Sequence, residues 1–329
     1  MAVFGNSNAK GNRESLADII KDISPEDTPA LSNFGSGKAY ATTEEWQTDA
    51  LSPADPTNSV IEGTDTTLAT VNPTTRLANY IQDFEIGFAV SNVQDKVRKA
   101  GRKSEVSYQV EKAFRQLKVH VEAMLTQNNV AIARVSGTTA SRSAGLETFA
   151  WAVNNVANAT TGGHGASGTT QVIATGAPIT AITDGTGRAF SDTQLKTSLA
   201  AGFSLGARYK MAIMPFAQKQ VMAGFTGVAS TRMTVDLGKK EMAGIIGAVD
   251  VYVSDGGAIM LTPSANMRNT TAKMSVLLVD PECVDVLFLQ EYEHEELAKT
   301  GAYTKHRVGC NATLRVKNPR GVAKIADLN

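Results

Sequence analysis

Cysteine is nearly absent: Cys283 and Cys310 are the two in 329 residues. Two thiols cannot make a disulfide framework, and neither stands in a spacing with histidine that binds zinc. The expectation is a pair of free thiols in a reducing compartment. Long apolar runs are absent too, since no window approaches the roughly eighteen residues of a membrane span. The opening MAVFGNSNAKGNRESL lacks the apolar core of a signal peptide, so the sequence points to a soluble protein made in a cytoplasm. Net charge is also missing. Lys+Arg and Asp+Glu are both 32, which argues against a chain that condenses nucleic acid or adheres to anionic membrane through its overall charge.

Recognisable chemistry is the next absence. Phe34-Gly35-Ser36-Gly37-Lys38 is followed by Ala39, and no glycine stands five residues before Gly37, so the phosphate-loop pattern fails and a plain turn is predicted. Gly163-His164-Gly165-Ala166-Ser167-Gly168 matches the dinucleotide fingerprint in letters, yet no strand runs into it and no helix follows, so an exposed loop is the better reading. The four histidines, His120, His164, His294 and His306, stand singly. His294-Glu295 begins like a zinc-protease helix, but Ala298 occupies the place of the second ligand, leaving Glu291 to Glu296 as a solvated acidic run. No serine is read as a nucleophile elbow, and Cys283 has no histidine near it in sequence. No residue is assigned to catalysis, a cofactor or a metal.

What is present is one long helical signal. From Gly101 to Asn129 there is no proline, and no glycine after the first residue. Val106, Val110, Phe114, Leu117, Val121, Met124 and Leu125 recur at intervals of four and three, one stripe along a helix that must be buried, with Val110, Phe114, Leu117 and Val121 at its centre. Glu105, Glu111, Lys112, Arg115, Lys118 and Glu122 fall on the opposite, charged face, and Glu111 precedes Arg115 by one turn, the favourable order for an ion pair. Such a helix would be roughly 40 Å long, a spine for the domain.

Around it, residues 1 to 12 are small and polar, and Leu16, Ile19, Ile20 and Ile23 share one side of a short helix from about Arg13 to Ser24-Pro25 that needs a surface to dock on. Tyr40 to Leu51 reads as a strand, Ser52 to Pro73 as a polar loop, and Tyr80 to Val90 as a strand of period two, together a long hairpin whose loop is long enough to be functional. Ala144 to Trp151 is a short apolar segment. Ser191 and Gln194 make a capping box for a helix buried through Leu195, Leu199 and Phe203. A strand at Lys210–Pro215, a helix at Ala217–Phe225, and strand-like runs at Val249–Val253, Ala258–Leu261 and Ser275–Val279 form an α/β unit. Val284–Leu289 and the alternation from His306 to Val316 predict long antiparallel strands that only the spine can cover, with the middle of the chain as an insertion.

The runs SPEDTPALSNFGSGKAYATTEEWQTDAL, TRLANYIQDFEIGFAVS, VQDKVRKAGRKSEVSYQVEKAFRQLK, SAGLETFAW, LLVDPECVDVLFLQ and ELAKTG resemble the major capsid proteins of tailed bacteriophages, in the branch of the Hong Kong 97 fold that carries a TP(x)L…EWQTD opening. The similarity covers about two-thirds of the chain; residues 160–191 are not diagnostic. It implies an α+β fold with an N-terminal arm (1–36), an extended hairpin loop (37–90), a peripheral domain built on the spine (91–186), an inserted axial α/β domain (187–283), and late strands of the peripheral domain with the C-terminal end (284–329). It also implies pentamers and hexamers of the chain closing into an icosahedral shell around double-stranded DNA held without sequence specificity. Contact with portal or cement proteins, no membrane, and a virion assembled in the host cytoplasm complete that expectation. An encapsulin-like compartment of the same fold and a nucleotide-binding enzyme resting on Gly163–Gly168 are the alternatives.

Charge supplies candidate interface residues. The hairpin loop is acidic, with Glu44, Glu45, Asp49, Asp55, Glu62 and Asp65 against Lys38, while Lys96, Arg98, Lys99, Arg102 and Lys103 crowd the start of the spine, where positive charge opposes the helix dipole. The subunit-interface reading pairs Glu44, Glu45, Asp49 and Glu62 of one copy with Arg98, Lys99, Arg102 and Lys103 of the next. A solvated basic face and a DNA-facing patch remain open beside it.

Overall fold

The computed structural model describes residues 23–52, 54–66, 68, 73–150, 152–154, 169, 170, 176–178, 184, 187–225, 250–270 and 273–329. The expected arm helix, apart from Ile23, and the Gly163–Gly168 motif lie outside them; Ile23 is exposed and not helical. A short helix α1 (Pro29–Asn33) begins with proline at its first position, where the missing N–H is no loss. Then come β1 (Gly35–Lys38), β2 (Thr43–Thr48), β3 (Thr75–Tyr80), β4 (Gln82–Ser91), α2 (Asn92–Lys96), the spine α3 (Glu105–Thr126) and the single turn α4 (Leu146–Phe149). β5 (Ala152–Asn154), β6 (Thr169–Thr170), α5 (Asp192–Ser204), β7 (Met211–Met214), α6 (Phe216–Ala223), β8 (Val251–Ser254), β9 (Gly257–Pro263) and β10 (Met274–Val279) follow. The chain closes with β11 (Val284–Gly301), β12 (Tyr303–Val316) and β13 (Val322–Leu328).

These strands form three sheets. One runs β1-β11-β12-β4, a second β6-β5-β13-β10-β7-β9-β8, and β2-β3 is a separate ribbon. The second sheet is buried on both faces at its centre, as strand alternation requires. Met211, Ile213, Leu277, Val279 and Val322 join the core that contains the spine, whereas Ala212, Met214, Val276, Leu278, Ala323 and Ile325 point to another core with Leu195, Met222, Ile259 and Leu261.

The spine contains the whole apolar stripe but starts later and ends earlier than the stretch Gly101–Asn129. Gly101 has φ +74, and Ser104 caps the helix by accepting a hydrogen bond from the Ser107 N–H at 3.3 Å. Its 22 residues span about 33 Å. Leu117, Val121, Met124 and Leu125 are buried as expected, together with Ala113. Phe114 is half-buried against the same core, and Val106 and Val110 are only partly covered. The reason is local: α1 and the Ala144–Ala150 segment pack on the C-terminal half of the helix. Gly145 donates to Asn129 O at 3.0 Å, so close that a Cβ at this position would lie 2.1 Å from Gln127 O. Only glycine fits. Val308, Cys310, Ala312 and Leu314 of β12 lie in the core with the spine, which does cover the late strands.

Several expectations are corrected. Glu122 and Glu105, assigned to the charged face opposite the buried stripe, are themselves buried. Glu122 is 0% exposed because its carboxylate accepts the free N–H groups of α1, from Ala30 at 3.0 Å and Leu31 at 2.8 Å. Burial pushes this carboxyl upward in pKa, against those donors. Phe34–Lys38 is no plain turn, since Gly35 to Lys38 pair in parallel with Asp285 to Phe288. The arm from Thr28 onward is therefore part of its own subunit. The return strand of the hairpin is β3, not the Tyr80–Val90 run, which as β4 pairs with β12. Phe203 is 63% exposed, because it lies off the face of α5 that Leu195 buries. Val249 lies outside the described residues, and the strand there is Val251–Ser254. The residues after Val316, grouped with the late strands only as the C-terminal end, form a further strand β13, hydrogen-bonded between β10 and β5 in the other sheet.

Candidate assembly surfaces

The β2–β3 ribbon is held firmly at its base and by little beyond it. Thr43 to Thr48 pair with Tyr80 to Thr75, and the Trp46 ring meets Phe149 with centroids 5.9 Å apart. Asn79, wholly buried, donates to Ser143 Oγ at 3.0 Å and to Leu314 O at 2.7 Å, and accepts from the Ala144 N–H at 2.9 Å. One side chain thus ties the ribbon to both the 143–144 segment and β12. Between Thr48 and Thr75 the described residues are exposed, including Leu51 at 98%, Ile61 at 80% and Leu68 at 91%. These large apolar side chains find no cover among the described residues.

The charged candidates divide into two groups. Glu44 is used locally, its carboxylate accepting from the Tyr40 N–H at 2.7 Å, and Glu45 pairs with Arg76 across the ribbon. Asp49 accepts from its neighbour Ala50 N–H at 2.8 Å. Lys99 donates to Asp95 O at 3.2 Å with its side chain 6% exposed, and Arg102 pairs with Glu105 at 2.6 Å while lying over the Tyr108 ring. The negative charge needed at the spine's N-terminus is supplied from within by Glu105, and the neutral Ser104 hydroxyl caps one of its free N–H groups. Gln109 first, and also Arg102 and Lys99, hold the Glu105 carboxyl below its ordinary pKa. Among the described residues Glu62, Asp65, Lys96, Arg98 and Lys103 make no ion pair with one another or with any other group. Beside the bases, Val93 and Val97 are exposed. The acidic loop and the basic spine start therefore stay unjoined within one chain, each with its own apolar patch.

A buried charge cluster escapes sequence reasoning. Glu147 is wholly buried on α4 and meets Lys324 Nζ, Arg268 Nη2 and Ser275 Oγ, each at 2.7 Å. Arg268 continues to Asp184 at 2.7 Å. Burial opposes ionisation of Glu147, but the Lys324 and Arg268 charges prevail and hold its carboxyl below the usual range. The available signal was an acid inside the apolar run Ala144–Ala150 and a lysine inside Val322–Ala326. The letters G-x-S-x-G also occur, at Gly202–Gly206, but Ser204 ends helix α5 and its hydroxyl donates to Ala201 O at 2.8 Å. A nucleophile elbow needs a strand-to-helix turn instead. Among the described residues no group of three or more His, Cys, Asp or Glu could hold a metal ion, and no helix is long and apolar enough to cross a membrane.

Known proteins share this architecture. The capsid of a native GTA particle superposes with a TM-score of 0.62 at 11% identity, covering 98% of each chain. A protein of Mycobacterium phage Bobi does so with a TM-score of 0.59 at 10% identity, over 100% of this chain and 99% of that one. An encapsulin complex from Synechococcus elongatus follows at 0.55 and 10% identity, over 97% and 93%. These likenesses establish the Hong Kong 97-type α+β fold. In sequence, the major capsid protein of Escherichia phage Phieco32 is 32% identical over 123 residues, 37% of this chain; the match spans 35% of that relative's length. The model of the SU10 major capsid protein family matches residues 3–329. With the fold and the sequence match agreeing from one end of the chain to the other, this protein belongs to the SU10 major capsid protein family.

Proposed function

We propose that the chain is the shell-forming subunit of a tailed bacteriophage, assembling through pentamers and hexamers into an icosahedral capsid around double-stranded DNA. The family match over residues 3–329 carries this reading, and the projecting loop with Leu51, Ile61 and Leu68 exposed gives it a physical means. Balanced charge suits a coat that must enclose DNA without holding it fast. Portal or cement proteins complete the particle, which forms in the host cytoplasm. An encapsulin-like compartment shares the fold at 10% identity, but the family match and the curated relative both favour the phage capsid.

The contact between copies joins the acidic, apolar loop of one subunit to the basic, apolar spine start of its neighbour. Glu44, Glu45, Asp49, Lys99 and Arg102, already engaged at home, frame that contact, while Glu62 and Asp65 meet Lys96, Arg98 and Lys103. Partly desolvated pairs of this kind set partner choice and weaken with salt. Reversing Arg98 and Lys103 to Glu is expected to block assembly with the subunit still folded, and adding Glu62→Lys with Asp65→Lys to restore particles in part. Sedimentation reads both results. Normal particles from the first variant, or no recovery in the second, would assign the basic cluster to DNA or solvent.

A further inference from the structure

Two of the four histidines, single in sequence, meet on the four-stranded sheet. His294 stands opposite Val308 and His306 opposite Glu296, so the rings lie diagonally on one face, with His294 Nε2 3.1 Å from His306 Nδ1. Their centroids are 5.2 Å apart at an interplanar angle of 29°. Phe88, opposite His306 on β4, also stacks on that ring at 5.3 Å. His306 is buried, and its Nε2 has no hydrogen-bond partner among the described residues; His294 is exposed.

The position of the pair gives it leverage. β1 pairs with β11 from Asp285 to Phe288, so among the described residues the outer part of β11 is joined to the sheet through β12. There the ladder breaks register between Gln290 and Glu293 and again between Leu297 and Gly301. The intervening run, Glu293 to Leu297, is a short piece of ladder with His294 and His306 across it.

An imidazole–imidazole contact of this length has room for one proton between the rings. With both rings neutral, one nitrogen donates and the other accepts. A single added proton still leaves one donor and one acceptor across the contact, so the bond survives. A second leaves two N–H donors facing each other and two positive charges in contact, one of them buried. His294 and Lys299 oppose charge on His306 and Glu296 favours it; all three are on β11, and β4 offers the uncharged Phe88. Glu85 and Glu295 pair with Arg307 instead, whose strand position puts it on the other face.

We propose that His294 and His306 form a proton-operated latch on the outer β11–β12 ladder, which holds with no proton or one added and opens when the second binds. Burial, then His294, holds His306 below the ordinary imidazole range. The folded segment thus binds fewer protons than the open one between that lowered value and the ordinary one near 6.5. Its stability is full above the ordinary value and falls as pH drops through this window.

Hydrogen exchange of the whole chain between pH 7.5 and 5, corrected for intrinsic rates, tests the latch. Amides of residues 293–297 and 305–309 should lose protection by about tenfold per pH unit within the window. His306→Phe, which keeps the stack without titrating, should abolish that pH dependence, and His294→Gln, at an exposed site that leaves the core untouched, should weaken it, since burial still acts on His306 while the second charge is gone. Protection in the unaltered protein that does not change with pH, or that falls equally in His294→Gln, would overturn the proposal. Should His306→Phe fail to fold, His294→Gln decides alone.

Discussion

Leu117→Asp is expected to yield no soluble, folded protein. Leu117 is at 0% exposure in the middle of the spine, in the core with Val121, Met124, Val308 and Leu314. A carboxylate placed there meets no donor from those apolar neighbours, and the change removes a packed side chain as well as burying a charge. Roughly 4–5 kcal/mol or more is lost, against about 5–15 kcal/mol for a whole domain. Expression with separation of soluble and insoluble fractions, then circular dichroism of anything soluble, checks it. A folded Leu117→Asp protein would mean the other face of the spine is inside.

Glu147→Leu should be nearly as damaging, for a different reason. Lys324 is wholly buried and Arg268 largely so; without Glu147 the lysine loses the carboxylate that balances it, while Arg268 keeps Asp184. Removing one partner of a buried pair costs about 3–5 kcal/mol, whereas replacing both by apolar groups of similar volume is often neutral. Chemical unfolding should therefore show Glu147→Leu with Lys324→Met to be more stable than Glu147→Leu alone. The same network predicts an acid limb. A carboxyl held below its ordinary value contributes stability that is complete above the unfolded pKa and disappears as pH falls through the folded one. If the double variant were the weaker of the two, the charges would be doing something other than balancing each other.

Periodic features were legible in the sequence, and features made by distant segments were not. The spine, the Ser191–Gln194 capping box and the alternating late strands depend on local spacing, and each is present. Glu122 fell on the charged face because its period places it beside Lys118, and nothing local shows that α1, some 90 residues earlier, brings two N–H groups to it. Gly35–Lys38 looked like a turn because a parallel edge pairing with Asp285–Phe288 leaves no trace in two glycines, a serine and a lysine. The charge clusters on loop and spine start were visible as composition. Which of them were already satisfied at home, as Glu45 and Arg102 are, depended on partners that only the fold supplies. β13 was grouped with its sequence neighbours, yet burial on both faces places it at the centre of the other sheet.

Self-assembly is the central claim, and electron microscopy of the purified chain, produced without other virion proteins, tests it most directly. Rings of five or six copies, or closed shells built from them, are expected, with the β2–β3 loop lying on a neighbouring subunit. A stable monomer at every salt and protein concentration would contradict the account.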